Sequence, residues 1–121
     1  MRKRNQKYNN RKVIRGGNLF DSKKEARMYA QLQRMQKEGR IKDLVLKPGY
    51  LLLPRFEIMK KGKMRISRPC TFTPDYQFFD IEQNRLRVID CKGMRTDVYL
   101  LKKKLFDYQH MAEGLYIEET I

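Results

Sequence analysis

The stretch of sequence that decides the fold is TPDYQFFDIEQNRLRVIDCKG, residues 73–93. Two runs rich in apolar and aromatic residues, 72–81 and 86–92, flank the polar segment EQNR, and this pattern predicts two antiparallel strands joined by a turn. Asp75, Asp90 and Lys92 stand within or at the ends of these runs. A charge inside a strand costs free energy unless something compensates it, so the first question is what compensates these three.

The predicted turn, centred between residues 83 and 84, places Gln77 opposite Asp90. It also places Asp75 opposite Lys92. All four side chains then share one face of the sheet, because side chains alternate along a strand, and directly opposed Cβ atoms lie about 5 Å apart. Two carboxylates and an ammonium therefore converge at the end of the strand pair away from the turn. A three-residue loop would break this arrangement.

Two explanations for this cluster remain open at the level of sequence. Lys92 can neutralise Asp75 and Asp90 in an ion-pair cluster of purely structural value. Alternatively, the carboxylates hold a hard divalent cation, since Mg²⁺ is typically bound by one or two carboxylates together with waters and substrate phosphate. Such an ion stabilises charge developing on a phosphate and lowers the pKa of a bound water.

A helix is predicted over residues 20–39. Ser22 and Glu25 have the spacing of a capping box, and Gly39 is a helix stop. Glu25 falls inside the apolar arc of this helix, which is unusual for a carboxylate unless it caps the helix or serves a site.

The remaining predicted elements are strands and one further helix. The helix, residues 96–111, has Val98, Leu101, Leu105 and Tyr108 on one face and its lysines mostly off that face. The order of elements is helix, strand or hairpin, two strands, helix, strand, which predicts an α/β (α+β) fold. The predicted strands are 50–59, 64–68, 72–81, 86–92 and 115–118, and Pro54 within the first of them indicates an edge strand or a bulge.

Charge dominates the composition. The chain has 121 residues with 28 Lys and Arg against 14 Asp and Glu, giving a formal net charge of +14. An excess of this size favours a polyanionic partner, most simply nucleic acid. The length predicts a single domain over residues 19–121 after a basic arm, residues 1–18. Arg11, Lys12 and Arg15 in this arm are either part of a disordered, solvated tail or contacts to phosphates, and the two readings are compatible.

Several classes of protein are not favoured by the sequence. No apolar run approaches the roughly 18 residues of a membrane-spanning helix, and no secretory signal is recognisable. Cys70, Cys91 and His110 are too few and too scattered for a zinc site or a disulfide framework. We therefore expect reduced cysteines, a cytoplasmic protein and no zinc.

These residues resemble a known family. Pro74-Asp75, followed by Asp90-Cys91-Lys92 and preceded by a helix bearing Glu25, resembles the PD-(D/E)xK nuclease superfamily. The stretches FDSKKEARMYAQL, FTPDYQFF and VIDCKG with the lysine-rich helix after them are similar, more closely, to small phage endonucleases of the Holliday-junction-resolvase-like type. The resemblance implies a restriction-endonuclease-like αβββαβ core, in which a mixed central sheet is flanked by helices.

The resemblance also implies roles for individual residues. Asp75 and Asp90 would be metal-binding carboxylates, the backbone carbonyl of Cys91 a further ligand, and Lys92 the catalytic lysine. Glu25 would reach the same Mg²⁺, or Mn²⁺ in its place, directly or through water.

On the second helix, Lys102, with Lys103 and Lys104 as substitutes, would contact the phosphate of the cut strand. Such enzymes usually act as homodimers on branched DNA. One departure from the family pattern is Lys47, which stands where a glutamine is expected.

Two other functions fit the charge of the chain. A non-catalytic nucleic-acid-binding accessory protein would need only the basic arm and the lysine-rich helix, with the acidic cluster structural. A basic membrane-surface protein is less favoured, because no strongly amphipathic basic helix with aromatic anchors is present. Divalent-metal binding at the carboxylates distinguishes the nuclease from the accessory protein.

Overall fold

The structure, a computed structural model, describes residues 13–15, 18–20, 23–91 and 95–120. Within these residues the chain forms two α-helices and ten strands, with one 3₁₀ turn at Met111–Glu113. The helices are α1 (Lys23–Lys37) and α2 (Asp97–His110), and the strands are β1 (Val13–Arg15), β2 (Asn18–Phe20), β3 (Ile41–Leu46), β4 (Tyr50–Leu53), β5 (Phe56–Lys60), β6 (Lys63–Ser67), β7 (Cys70–Phe72), β8 (Tyr76–Asp80), β9 (Arg85–Cys91) and β10 (Ile117–Thr120).

A four-stranded mixed sheet forms the centre of the fold, in the order β10-β9-β8-β3. Strand β8 pairs antiparallel with both β3 and β9, and β10 returns through α2 to lie parallel to β9. The prediction of an α+β fold with a mixed sheet is confirmed. Two small antiparallel pairs, β4-β7 and β5-β6, and the pair β1-β2 complete the described strands.

The sheet is covered by apolar side chains on both faces. On the α1 side the buried cluster consists of Leu32, Ile41, Tyr76, Phe78 and Ile89. On the α2 side it consists of Leu52, Phe72, Val88, Tyr99, Phe106, Leu115 and Ile117. Strand β9 supplies both clusters, with Val88 on the α2 side and Ile89 on the α1 side, as expected of a strand buried on both faces.

The end of helix α1 agrees with the prediction, but its start does not. It begins at Lys23 and not at Phe20, because Phe20 belongs to β2 and pairs with Val13 of β1. Ser22, the predicted cap, lies outside the described residues. The predicted stop at Gly39 is confirmed: its φ is 78°, and the N–H of Arg40 donates to the carbonyl of Met35 at 2.9 Å, which is the pattern of a Schellman motif.

The predicted register of β8 and β9 was wrong by two residues. Gln77 pairs with Val88 instead of Asp90. A four-residue turn, residues 81–84, connects the strands, and Asp80 stabilises it by accepting a hydrogen bond from the N–H of Gln83 at 2.9 Å. A shift of two residues preserves the alternation of faces. The predicted face is therefore correct although its cross-strand partners change.

Two predicted strands are each divided in the structure. The run 72–81 breaks at residues 73–75, so that β7 pairs with β4 while β8 joins the central sheet. The run 50–59 breaks at Pro54 and Arg55 into β4 and β5, consistent with the loss of an N–H donor at proline. The first break places Asp75 in the connection just before β8.

Helix α2 presents an unexpected side to the core. Its described boundaries agree with the prediction, and Thr96 caps it by accepting from the N–H of Tyr99 at 3.1 Å. The buried residues are Tyr99 and Phe106. The apolar face noted in the sequence is instead exposed, with exposed fractions between 37% and 69%. We call these residues the α2 stripe: Val98, Leu101, Leu105 and Tyr108.

An ion-pair network stabilises the turn end of the sheet. Arg87 lies between Asp80, at 3.0 Å, and Glu118, at 2.6 Å. Glu118 also pairs with Arg85 at 3.4 Å. Each carboxylate here has a guanidinium partner, so this cluster has a structural explanation. No described helix is both long enough and apolar enough to cross a membrane.

Candidate active site

The two aspartates singled out in the sequence meet at the other end of the sheet. Continuing the pairing of Tyr76 with Ile89 by one position brings Asp75 opposite Asp90. The carboxyl groups of the two residues are close enough to hydrogen-bond. Asp90 is fully buried, and Asp75 is 8% exposed. The sequence predicted Lys92 opposite Asp75, whereas the corrected register sets Asp90 opposite Asp75.

The environment of Asp75 favours its neutral form. Burial first, and then the neighbouring Asp90 carboxyl, together raise the pKa of Asp75 to about 8. The N–H of Cys91 donates to Asp75 Oδ2 at 2.6 Å, which opposes the shift without cancelling it. At neutral pH the raised pKa of Asp75 therefore favours the protonated form of this residue in the absence of a bound cation.

Glu25, which the resemblance assigns to the same site, lies close enough to act on the charge of Asp75. It is 4% exposed in the first turn of α1, and its charge contributes to the raised pKa of Asp75. Its Oε1 lies 3.3 Å from Lys47 Nζ. A buried carboxylate requires such compensation. Lys47 was noted in the sequence only as a departure from the family pattern. Its contact with Glu25 makes it part of the site.

Lys47 and Tyr76 hold the elements of the site together through the backbone. The N–H of Lys47 donates to the carbonyl of Asp75 at 2.8 Å, and the backbone of Lys47 has a φ of 49°. The buried hydroxyl of Tyr76 donates to the carbonyl of Glu25, and its ring stacks on Tyr29 at 6.4 Å. These contacts fix the start of α1 and the connection before β8 relative to each other.

Cys91 has two different sides. Its N–H serves Asp75, while its side chain packs with the cluster on the α1 face and accepts a hydrogen bond from Thr120 Oγ1 at 3.1 Å. The side chain therefore points away from the face that carries Asp90, as strand alternation requires. This explains why an apolar residue is acceptable between Asp90 and Lys92.

Some predicted site residues cannot be placed. Lys92, the predicted catalytic lysine, and Arg11 and Lys12 of the arm lie outside the described residues. Arg15 belongs to β1. The predicted roles of these four residues remain predictions.

The three lysines of α2 differ from one another. Lys103 pairs with Asp107 at 2.9 Å, and the second oxygen of Asp107 accepts from the N–H of Ile117. Lys102 is half-buried and Lys104 is exposed, and neither forms an ion pair with another described residue. Lys103 is thus used within the fold, which leaves Lys102 and Lys104 as the stronger candidates for phosphate contact.

Sequence reasoning did not single out Glu119. It pairs with Asp90 in the register of β10 and β9, so that both side chains face α2. Its Oε2 accepts from the hydroxyl of Tyr99 at 2.7 Å and lies 3.2 Å from Arg95 Nε. The alternation of side chains along the last strand could have indicated that Glu119 faces α2. The register of that strand with β9, which sets Glu119 beside Asp90, could not be read from the sequence.

A divalent cation at this site would be bound by few protein side chains. Within the described part of the chain, no group of three His, Cys, Asp or Glu side chains is arranged to hold a metal ion. A pair of carboxylates with a backbone carbonyl and waters is nevertheless the ligand set that Mg²⁺ accepts. Burial and the neighbouring Asp90 carboxyl raise the pKa of Asp75 and so oppose its ionised form, which a bound cation would favour. Asp75 and Asp90 therefore fit such an ion.

Fold and site together define an α+β protein with buried carboxylates at one end of a mixed sheet. Residues 5–119 match the family model described as "Protein of unknown function (DUF1064)". The chain belongs to this family. No curated protein and no solved structure gives a match.

Proposed function

We propose that this protein is a divalent-metal-dependent endonuclease that hydrolyses phosphodiester bonds of DNA, with branched DNA as its substrate. The observation that carries the proposal is the buried carboxylate pair of Asp75 and Asp90, with Glu25 beside it. Burying two carboxylates side by side costs free energy, and a net charge of +14 makes a polyanion the natural partner. A site for a cation and a phosphodiester accounts for both features.

The order of elements supports a restriction-endonuclease-like core. Helix α1 precedes three antiparallel strands of the central sheet, β3, β8 and β9, and α2 then leads to the parallel strand β10. This is the αβββαβ order that the resemblance implies, with the small pairs β4-β7 and β5-β6 as insertions. The carboxylates lie where β8 begins and β9 ends, as a Pro-Asp and Asp-x-Lys pattern would place them.

The proposed roles follow from the position of each group. Asp75, Asp90 and the carbonyl of Cys91 would hold Mg²⁺ or Mn²⁺, with Glu25 reaching it through water because Glu25 already pairs with Lys47. The bound ion would lower the pKa of a water and stabilise charge on the phosphate. Lys92 would orient that water or neutralise the phosphate.

In this proposal Lys102 or Lys104 fixes the DNA strand on α2. The same proposal places the protein in the cytoplasm, and in that of the host cell if a phage encodes it.

A homodimer belongs to the same proposal, since symmetric cutting of a junction needs two active sites. The exposed α2 stripe supports it, because contiguous apolar side chains at helical spacing are typical of an interface. We expect light scattering to give a mass near twice the 14.7 kDa of one chain. A monomeric mass at all concentrations would contradict the dimer but not the proposed metal-dependent cleavage.

The decisive experiment incubates purified protein with a labelled four-way junction and with a linear duplex of matching sequence. We expect cleavage with Mg²⁺ or Mn²⁺ and none with EDTA, and faster cleavage of the junction. Binding without cleavage, across both metals and several DNA forms, would contradict the nuclease and favour the accessory protein. Equal cleavage of both substrates would retain the nuclease and remove the preference for branched DNA.

A further inference from the structure

The hairpin formed by β5 and β6 stands apart from both apolar clusters. We call residues 55–68 the ribbon. Its two strands pair only with each other, and every side chain of β5 and the first four of β6 are exposed. The turn at Lys61 and Gly62 has φ values of 48° and 76°, as a two-residue type I′ turn requires. The ribbon thus has a defined shape without being packed against the central sheet.

The ribbon concentrates positive charge. It contains six basic residues and one acidic residue, Glu57. Arg55 pairs with Glu57 at 3.1 Å. The other basic residues form no ion pair with any described residue, and they are Lys60, Lys61, Lys63, Arg65 and Arg68.

The positive charges meet on one face near the tip. Lys60 lies directly opposite Lys63 in the pairing of the two strands, and like charges in this position destabilise a hairpin. Arg65, opposite Ile58, shares the face with them. Repulsion built into an exposed tip is relieved when an anion binds there, so the ribbon is suited to a partner rich in phosphate.

We propose that the ribbon inserts into the major groove of duplex DNA with its basic face against the phosphates. This inference rests on the proposed function only in taking DNA as the partner. Five residues per strand give a length of about 17 Å. The major groove is about 12 Å wide and about 8.5 Å deep, and it admits a two-stranded β-ribbon. The ribbon is therefore long enough to cross the groove while its base stays on the protein.

The opposite face of the ribbon carries three exposed apolar side chains, Met59, Met64 and Ile66, together with Glu57, which pairs with Arg55. A second copy of the chain is the other occupant that such a face suggests. Two ribbons packed through this face would, however, bring the net positive charge of both copies close to each other, which electrostatics opposes. In the groove the same apolar side chains can contact thymine methyl groups. Charge complementarity thus favours DNA.

The test compares two variants of the full chain that lose the same charge. The ribbon variant carries Lys60→Ala, Lys61→Ala and Lys63→Ala. The control carries Arg27→Ala, Arg34→Ala and Lys37→Ala at exposed positions of α1. Binding to a linear duplex is measured in EDTA over a range of salt concentrations, so that cleavage plays no part. Protection of guanine N7 from dimethyl sulfate reports occupation of the major groove.

We expect the ribbon variant to bind about 10- to 100-fold more weakly and to lose about two to three units of the salt slope, at about 0.9 per phosphate contact. Guanine N7 protection should disappear in this variant and persist in the control. Equal losses in both variants, or protection that survives in the ribbon variant, would overturn the proposal. A halved molecular mass of the ribbon variant would assign the ribbon to a second copy instead. Loss of cleavage with intact binding concerns only the proposed nuclease.

Discussion

Replacing Asp90 by asparagine is expected to abolish metal-dependent cleavage while leaving the fold and DNA binding intact. Asparagine has nearly the same shape, so the fully buried position at the end of β9 stays filled. The lost charge removes half of the carboxylate pair that would hold the ion. We expect the cleavage rate to fall at least about 1,000-fold, equivalent to about 4 kcal/mol of transition-state stabilisation.

A second readout separates metal binding from catalysis. Mg²⁺ that binds only the folded wild type stabilises it, by about 2.7 kcal/mol at 100 times the dissociation constant. Asp90→Asn should lose this rise in melting temperature. Asp80→Asn is the matched control, because Asp80 is another buried aspartate of the same strand pair that serves Arg87 and Gln83. The control should melt earlier and still respond to Mg²⁺.

The result that would contradict the assignment is equally clear. Cleavage by Asp90→Asn within about tenfold of the wild-type rate would contradict the loss of several kcal/mol expected at a metal ligand. Either that result or a full response of the variant to Mg²⁺ would make the carboxylate pair a feature of the fold only. The basic surfaces would remain consistent with the accessory protein.

The metal-free protein is expected to lose stability as the pH rises from about 4 to about 8. The pKa of Asp75 is raised to about 8 in the folded chain from an ordinary value of 3.8, so the folded state keeps a proton that the unfolded state releases. The stabilisation is complete below about pH 4 and is lost as the pH rises through about 8. The slope approaches about 1.4 kcal/mol per pH unit for one proton.

Urea unfolding in EDTA at several pH values measures this slope. Asp75→Asn should flatten it, because the amide has no proton to lose. Asp80→Asn should keep it: the N–H of Gln83 and then Arg87 lower the pKa of Asp80, so the stability that Asp80 contributes is present above its ordinary pKa and is lost as the pH falls. Equal slopes for wild type and Asp75→Asn would show that Asp75 is ionised throughout, contrary to the carboxylate pair.

The faces of the central strands could be predicted from sequence, but their register could not. Alternation with period two assigned Asp75, Gln77 and Asp90 to one face, and this survives any shift by an even number of residues. The register depended on the position of the turn, which spans residues 81–84 instead of the predicted 82–85 and is stabilised by the hydrogen bond from the N–H of Gln83 to Asp80. That local hydrogen bond is a property of the folded turn and not of the hydrophobic pattern.

The residues that surround the carboxylates show a second limit. Glu25 was recognised because a carboxylate inside an apolar helical arc is anomalous within its own element. Lys47 and Glu119 look ordinary within theirs, and only the pairing of β10 with β9 and the approach of α1 to the connection before β8 reveal them. Contacts between distant parts of the chain leave no periodic signal in the sequence.

The separation of the ribbon from the central sheet has a consequence for how this protein can diverge. Its exposed side chains fill no part of either apolar cluster, so substitutions there change contacts with a partner at little cost in folding free energy. At the carboxylate end of the sheet, substitutions are expected to cost more folding free energy, because the carboxylates there are buried against other side chains. Target preference and chemistry can therefore change independently, and exchanging ribbons between members of the family should transfer one without the other.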